Sequence, residues 1–307
     1  MPSRAYDPSR DFLRVRDMLV DALPDFGSIT NWRLERWNYA RYFVSPMCGS
    51  FKVGSVSLEN ALAGIRFWEE NIRVWEDGER VVGAAMLEYP WPGRVYLQRR
   101  PEHGGLLDEM LAWGEAHLAD RKKGTIETFI YETDDELRAA AERRGFRKEP
   151  DRKDWDSEFV IDGLPESLMP EGYTFRSMAD DNDIEKRREV FGRSFGHKEE
   201  PDWPAMWDYE ELQKAPDYRR ELDLSVIAPD GKSVACCIAW FDERNRVASL
   251  EPVGSIRLGY GREVVMEAVR RVAALGARSV WVGSGQRFYK VIGFERRFLA
   301  HVWVKEL

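Results

Sequence analysis

The stretch Leu250-Glu251-Pro252-Val253-Gly254-Ser255-Ile256-Arg257-Leu258-Gly259-Tyr260-Gly261 decides how this chain is read. It leaves an apolar strand through a proline, enters a loop with two closely spaced glycines and leads into a long amphipathic pattern. Glycines between a strand and a helix let backbone N–H groups approach an anion without Cβ in the way, at the helix end where the dipole is positive. Downstream come a second strand-like run, Ser279-Val280-Trp281-Val282, and then Phe288-Tyr289-Lys290-Val291-Ile292-Gly293-Phe294. That order of parts suits a phosphate-bearing ligand.

Working outward, the same pattern occurs earlier in the chain. Residues 72–78 and 80–87 read as strands joined by Asp77-Gly78, and residues 224–231 and 233–240 as strands joined by Asp230-Gly231. The two Asp-Gly turns lie 153 positions apart, and the pairs Gly145-Phe146 and Gly293-Phe294 lie 148 apart, so the two registers nearly agree. Between these landmarks each half has a third strand (95–97, 247–250), an amphipathic helix and a fourth strand (126–130, 279–282). Each half opens with helices, at 11–23 and 32–43, then at 184–195 and 205–212. The expectation is an α/β (α+β) protein of two tandem repeats, 1–163 and 172–307, each a mixed, largely antiparallel sheet flanked by helices. The connector 163–172 holds two prolines and two glycines and precedes the strand Tyr173–Arg176. Asp151–Asp154 reads as a solvated turn of a hairpin closing the first repeat.

The segment from Leu250 to Phe294 resembles the acyl-CoA-binding half of the GNAT superfamily of N-acyltransferases, whose pyrophosphate loop reads Gln/Arg-x-x-Gly-x-Gly/Ala and whose later motif carries a Tyr four residues before Gly-Phe. Tyr289 stands four residues before Gly293-Phe294; Gly259 and Gly261 match the loop glycines, while Ile256 occupies the Gln/Arg place with Arg257 beside it. The resemblance implies acetyl-CoA as co-substrate and a small primary amine as acceptor, with Tyr289 protonating the departing sulfur. It implies a cofactor cradle of Arg257, Gly259, Tyr260, Gly261 and Arg262, a splayed strand at Pro252, Val253 and Gly254 that meets the pantetheine arm, and further contacts from Ser284 and Gln286. The tandem layout is similar to that of mycothiol synthase-like enzymes, where the C-terminal repeat carries the reaction.

The residues themselves leave some choices open. Glu251 is either a base that takes a proton from the acceptor ammonium or an ion-pair partner. Pro252 either splays its strand or merely ends it. In the first half His103-Gly104-Gly105 stands at the loop, with Arg99 and Arg100 upstream, and Ala141 replaces the tyrosine. That half is read as a structural partner or a substrate-shaping wall. For the amine the resemblance points to the opening helices of the second half, where residues 195–209 bring together Phe195, Trp203, Trp207, Tyr209 and several carboxylates; these either hold a cation or anchor a helix pair with solvated acids. His197 has no companions at metal-ligand spacing, so no metal is expected.

With 307 residues, 43% apolar and 12% aromatic, the chain has enough apolar mass for two cores. The formal charge is −8; residues 172–307 carry 22 basic and 22 acidic side chains, so the acidic excess lies in the first half. Such a chain lacks the clustered cations that phosphate backbones require, which counts against nucleic-acid partners, including a transferase that uses charged tRNA. Cys48, Cys236 and Cys237 fit neither a disulfide framework nor a metal site and suit a reducing cytoplasm. There is no apolar run of membrane-spanning length and no export leader is expected. The rival readings are a non-catalytic acyl-CoA-binding or regulatory protein and a plain interaction module; the oligomeric state is left open.

Overall fold

Both Asp-Gly turns form. In the computed structural model, which describes residues 1–52, 56–164, 166–197 and 199–307, Gly78 and Gly231 adopt φ of +59° and +81°. They close two antiparallel hairpins, β2 (Arg73–Asp77) with β3 (Arg80–Met86) and β8 (Asp223–Ile227) with β9 (Ser233–Asp242). The remaining strands are β1 (Ser3–Ala5), β4 (Arg94–Arg99), β5 (Thr125–Tyr131), β6 (Arg147–Val160), β7 (Thr174–Ser177), β10 (Val247–Ser255), β11 (Ser279–Val282) and β12 (Glu295–Glu306). β9 is buried along its whole length, as a strand covered on both faces must be, and its sequence is correspondingly apolar between its end residues Ser233 and Asp242.

Among the described residues the strands form one twelve-stranded sheet in the order β1-β2-β3-β4-β5-β12-β6-β11-β10-β9-β8-β7. The halves therefore exchange their last strands. β12, from the second half, pairs with β5 from Ala300↔Tyr131 to Glu306↔Thr125, and β6, from the first half, pairs with β11 from Ser279↔Val160 to Val282↔Ser157. The sequence connector and the spatial seam thus fall in different places, and the expected pair of sheets is joined into one. Asp151–Asp154 is not a turn. It belongs to β6, where a register slip against β12 between His301↔Lys153 and Trp303↔Lys148 bulges the strand. A run of polar residues resembles a turn in sequence, but an exposed, bulged strand has the same composition.

Helices cover both faces: α1 (Asp11–Phe26), α2 (Leu34–Tyr39), α3 (Ser45–Lys52), α4 (Leu58–Glu70), α5 (Leu107–His117), α6 (Asp135–Arg143), α7 (Ile184–Ser194), α8 (Met206–Leu212), α9 (Tyr260–Ala274) and α10 (Arg287–Val291). Local chemistry starts several of them: the carboxylates of Asp134 and Asp183 accept the N–H of Leu137 and Lys186 at 3.0 Å in each case. α9 buries Val264, Val265, Ala268, Val269 and Val272 in a core shared with β9 and β10. The helix expected at 32–43 begins at Leu34 and passes at Ala40–Val44 into a π turn. That turn and its neighbours cross the seam: Leu34, Tyr39, Phe43 and Val44 share a core with Phe191, Tyr209, Ile238 and Trp240 of the second half. The first half is thereby laid over β10. Of the connector, Pro165 lies outside the described residues, while Ser167 Oγ and the Leu168 N–H bond Glu263 at 2.8 and 3.0 Å.

Candidate active site

β10 pairs in parallel with β11 only from Val247–Ser249 to Ser279–Trp281. Its antiparallel pairing with β9 continues, but slips between Leu250↔Ala239 and Val253↔Cys237, so Glu251 and Pro252 together face Ile238. Proline has no N–H to lose, and a bulge is where a strand tolerates it. Beyond Ser249 the β11-facing edge of β10 is unpaired among the described residues, and a groove of about 690 Å³ opens between the strands. Leu250, Glu251 and Val253 line one bank; Val282, Ser284, Gln286 and Tyr289 line the other. Of the two readings of Pro252, the splay is the one that forms.

Tyr289 is almost fully buried, and its hydroxyl makes no hydrogen bond among the described residues. Burial, with the nearby Cys237 and Glu251, pushes its proton affinity up, so the hydroxyl stays protonated and able to donate. Where β10 ends, Gly259 takes φ of +92°, which side chains disfavour. A Cβ on Gly261 would lie 3.3 Å from the Phe288 ring and 3.4 Å from Ser255. The N–H groups of residues 258–261 find no partner among the described residues and stand at the start of the 15-residue α9. The other cradle residues face the connector: Arg257 bonds the Tyr173 hydroxyl at 3.2 Å, Tyr260 stacks on Tyr173, and Arg262 bonds Glu263 and the Glu166 carbonyl. Gly254 is fixed by packing, since a Cβ there would lie 2.7 Å from that of Ser194 on α7.

Glu251 also lines a second cavity, of about 370 Å³, walled mainly by the first half. Its carboxylate has accessible surface, but that surface faces the cavities, and protein surrounds it closely enough for burial to govern its charge. Burial first, then the neighbouring carboxylates of Glu88 and Glu35, push its pKa up to about 7, against the pull of Arg36 and Arg33. No ion pair or side-chain hydrogen bond engages it among the described residues. Its backbone carbonyl accepts the Trp240 indole N–H at 2.8 Å.

No protein-family model matches the sequence, and no curated protein does. Solved structures match over nearly the whole chain. A GCN5-related N-acetyltransferase from Sphaerobacter thermophilus is 18% identical with a TM-score of 0.59, over 99% of this chain and 95% of that one. A tandem GNAT protein from the clavulanic acid biosynthesis pathway is 14% identical with a TM-score of 0.60, over 99% and 97%. A GNAT-family acetyltransferase from Colwellia psychrerythraea is 10% identical with a TM-score of 0.58, over 99% and 100%.

The chain has the tandem GNAT fold.

Within this fold the two repeats have diverged at the site. In the N-terminal repeat, β4 and β5 also part, after Val95↔Thr128, but their gap is filled. Asn31 donates to the Phe129 carbonyl at 2.7 Å, and Ser28 bonds Thr133 at 2.9 Å. The place above Gly104 is taken by the carboxylate of Glu136, which pairs with Arg99 at 2.7 Å. Ala141 sits in the core, so the position matching Tyr289 carries no acid.

The segment expected to hold the amine does not wall the second cavity. Tyr209 is core, and Trp203 packs on Gly192 and Arg188 and donates to the His197 carbonyl at 3.1 Å; Lys198 lies outside the described residues. Of the segment's described residues only Phe195 lines the groove. The cavity is instead walled by Arg33, Glu35, Arg36 and Tyr39 from α2 and its approach, Glu88 and Tyr89 after β3, Arg94 and Tyr96 on β4, Tyr131 on β5, and Asp154 and Asp156 on β6. The sequence signals were present but separated: charged residues spaced along one short helix, and aspartates two apart on a strand, which share a face. Nothing local joins them; the strand exchange does.

Proposed function

We propose that this tandem GNAT protein is an acyl-CoA-dependent N-acyltransferase, moving an acetyl group from acetyl-CoA to a small primary amine. The observation that carries the reading is the meeting of two cavities at Glu251, an unpaired carboxylate, with the unpaired Tyr289 hydroxyl on the opposite bank of the groove. The unbonded N–H groups of 258–261 and the open space beside Gly259 fit a pyrophosphate, and the splayed edge of β10 fits the pantetheine arm and acyl carbonyl.

In this reading the ammonium enters through the charged cavity and gives a proton to Glu251, whose raised pKa suits exchange near neutrality. The freed lone pair attacks the thioester carbon, and the oxyanion is held by main-chain N–H groups of β10. As the tetrahedral centre collapses, the C–N bond is kept, the nitrogen gives its second proton to solvent, the C–S bond breaks and Tyr289 protonates the thiolate. Amide and free thiol leave, and solvent restores both side chains. Cys236 and Cys237 are buried in β9 and take no part, so no acyl-enzyme forms. Three buried, unpaired cysteines fit a reducing cytoplasm, and among the described residues no helix is long and apolar enough to cross a membrane. The reading needs no nucleic-acid partner.

The test is calorimetric titration of acetyl-CoA into the wild type and Gly261→Glu, followed by amine-dependent release of free thiol. One equivalent bound by the wild type, with affinity lowered more than about a hundredfold in the variant by blockage and like charge, supports the reading. A wild type that does not bind acetyl-CoA overturns it.

A further inference from the structure

The charges of the second cavity discriminate among amines. Three guanidiniums face five carboxylates there. Each guanidinium is already engaged: Arg33 by Glu35 at 2.6 Å and Asp156 at 3.3 Å, Arg36 by Glu88 at 2.8 Å, and Arg94 by Glu127 at 2.7 Å. Arg36 also donates to the Asn31 carbonyl and Arg94 to the Tyr96 hydroxyl. Asp156 accepts from Tyr131 as well, at 2.6 Å. All three cations of this cavity are thus already paired with protein carboxylates.

Two carboxylates remain without a cation. Glu251 has no side-chain partner among the described residues. Asp154 accepts only the N–H of Trp155, at 2.8 Å, and makes no ion pair there. Both line the second cavity and the groove, so both stand where the two spaces join. They arrive from opposite sides, Glu251 on the bulge of β10 and Asp154 on the exchanged strand β6. Tyr39 and Tyr89 complete the same wall with hydroxyls that make no hydrogen bond among the described residues.

Resting on the acyltransferase reading, we infer that the acceptor is a small dication, a molecule with two amino groups and no acidic group, whose reacting amine meets Glu251 and whose second ammonium meets Asp154. The chemistry is unchanged: one ammonium loses its proton to Glu251, forms the C–N bond and displaces the thiol, while the second keeps its charge against Asp154. An amino acid or an amino-sugar phosphate is disfavoured, because its anion would enter a cavity where carboxylates outnumber guanidiniums and each guanidinium is already paired.

The experiment measures free-thiol release from acetyl-CoA by the full-length wild type with putrescine, cadaverine, butylamine, gamma-aminobutyrate and glucosamine phosphate. A charge-assisted contact of the usual strength predicts kcat/KM for a diamine at least about tenfold above butylamine, with the two anionic amines at background. In Asp154→Asn, shown folded by its thermal unfolding, the ratio of diamine to butylamine falls toward one, chiefly through KM. The inference is overturned if butylamine matches the diamines, if either anionic amine is preferred, if the folded variant keeps the ratio, or if acetyl-CoA binds and no diamine is acetylated. Failure to bind acetyl-CoA at all removes the acyltransferase reading itself, so the two failures are told apart by the titration.

Discussion

Replacing Glu251 with Gln separates a catalytic base from a structural carboxylate, because the two roles give opposite signs in two assays. The folded-state pKa is raised from 4.5 to about 7, so the folded protein holds this proton more tightly than the unfolded chain does. Wild-type stability therefore falls as pH rises from 4.5 to 7, and above 7 the fold carries an ionised carboxylate beside Glu88 and Glu35. Gln removes that charge. The variant should melt higher than the wild type above pH 7, with the difference fading as pH drops towards 4.5. Activity moves the other way: only the ionised form accepts a proton, so wild-type kcat/KM should fall about tenfold per pH unit below about 7, and the loss of a general base costs about a hundredfold to ten-thousandfold. The assays are a pH series of thiol-release kinetics and a matched series of thermal melts. A profile flat from pH 5 to pH 8, a midpoint near 4.5, or a variant less stable at alkaline pH would each refute the argument.

Tyr289→Phe should lower kcat by about tenfold to a hundredfold with KM for acetyl-CoA little changed, since it removes a proton donor needed only at collapse; an unaltered kcat sinks the assignment. Arg187→Met leaves Asp223, now 2.7 Å from the guanidinium, buried with only the Tyr218 hydroxyl. It should cost about 3–5 kcal/mol in urea unfolding, and a loss below about 1 kcal/mol would show that solvent reaches the pair. Titration of acetyl-CoA into the wild type should stop near one equivalent, because Glu136 and Asn31 fill the N-terminal gap; two equivalents would contradict that. Residues 1–163 and 172–307 expressed apart should each fail to unfold cooperatively, and a cooperative melt of either alone would show the exchanged strands to be dispensable.

The parts legible in sequence are those in which one segment carries its own constraint. Gly259 and Gly261 are glycines because of backbone conformation and close approach, and Tyr289 lies a fixed distance from a helix-ending glycine, Gly293, at φ of +102°. Such requirements survive without knowledge of the rest of the chain. The second cavity was illegible for the converse reason. Arg33, Glu88, Tyr131 and Asp154 come from four elements that meet only after β6 has crossed to β11, and alternation within a strand says which face a residue takes but not which strand lies beside it. Of the two readings of 195–209 the packed one is visible, since aromatics and acids near a helix start also describe a cap: Asp208 accepts the Ala205 N–H at 2.8 Å, and Tyr209 fills the core.

The strand exchange also explains why an eroded repeat remains. In the N-terminal repeat the loop is occupied by its own Glu136, the splay by Asn31 and the tyrosine position by Ala141, so nothing there suggests a second acyl-transfer site. Yet that repeat supplies β6, without which β11 has no neighbour on one side and the far bank of the groove loses its support. It also supplies α2 and the π turn, which pack across the seam and place Tyr39 beside Glu251. Substitutions that fill its own cleft leave β6 and α2 in place, whereas substitutions that unfold it remove a strand beside the groove and most of the wall of the second cavity. Loss of chemistry with retention of fold is what that asymmetry allows. In the proposed reaction it also places the determinants of amine choice on the repeat that lacks the tyrosine.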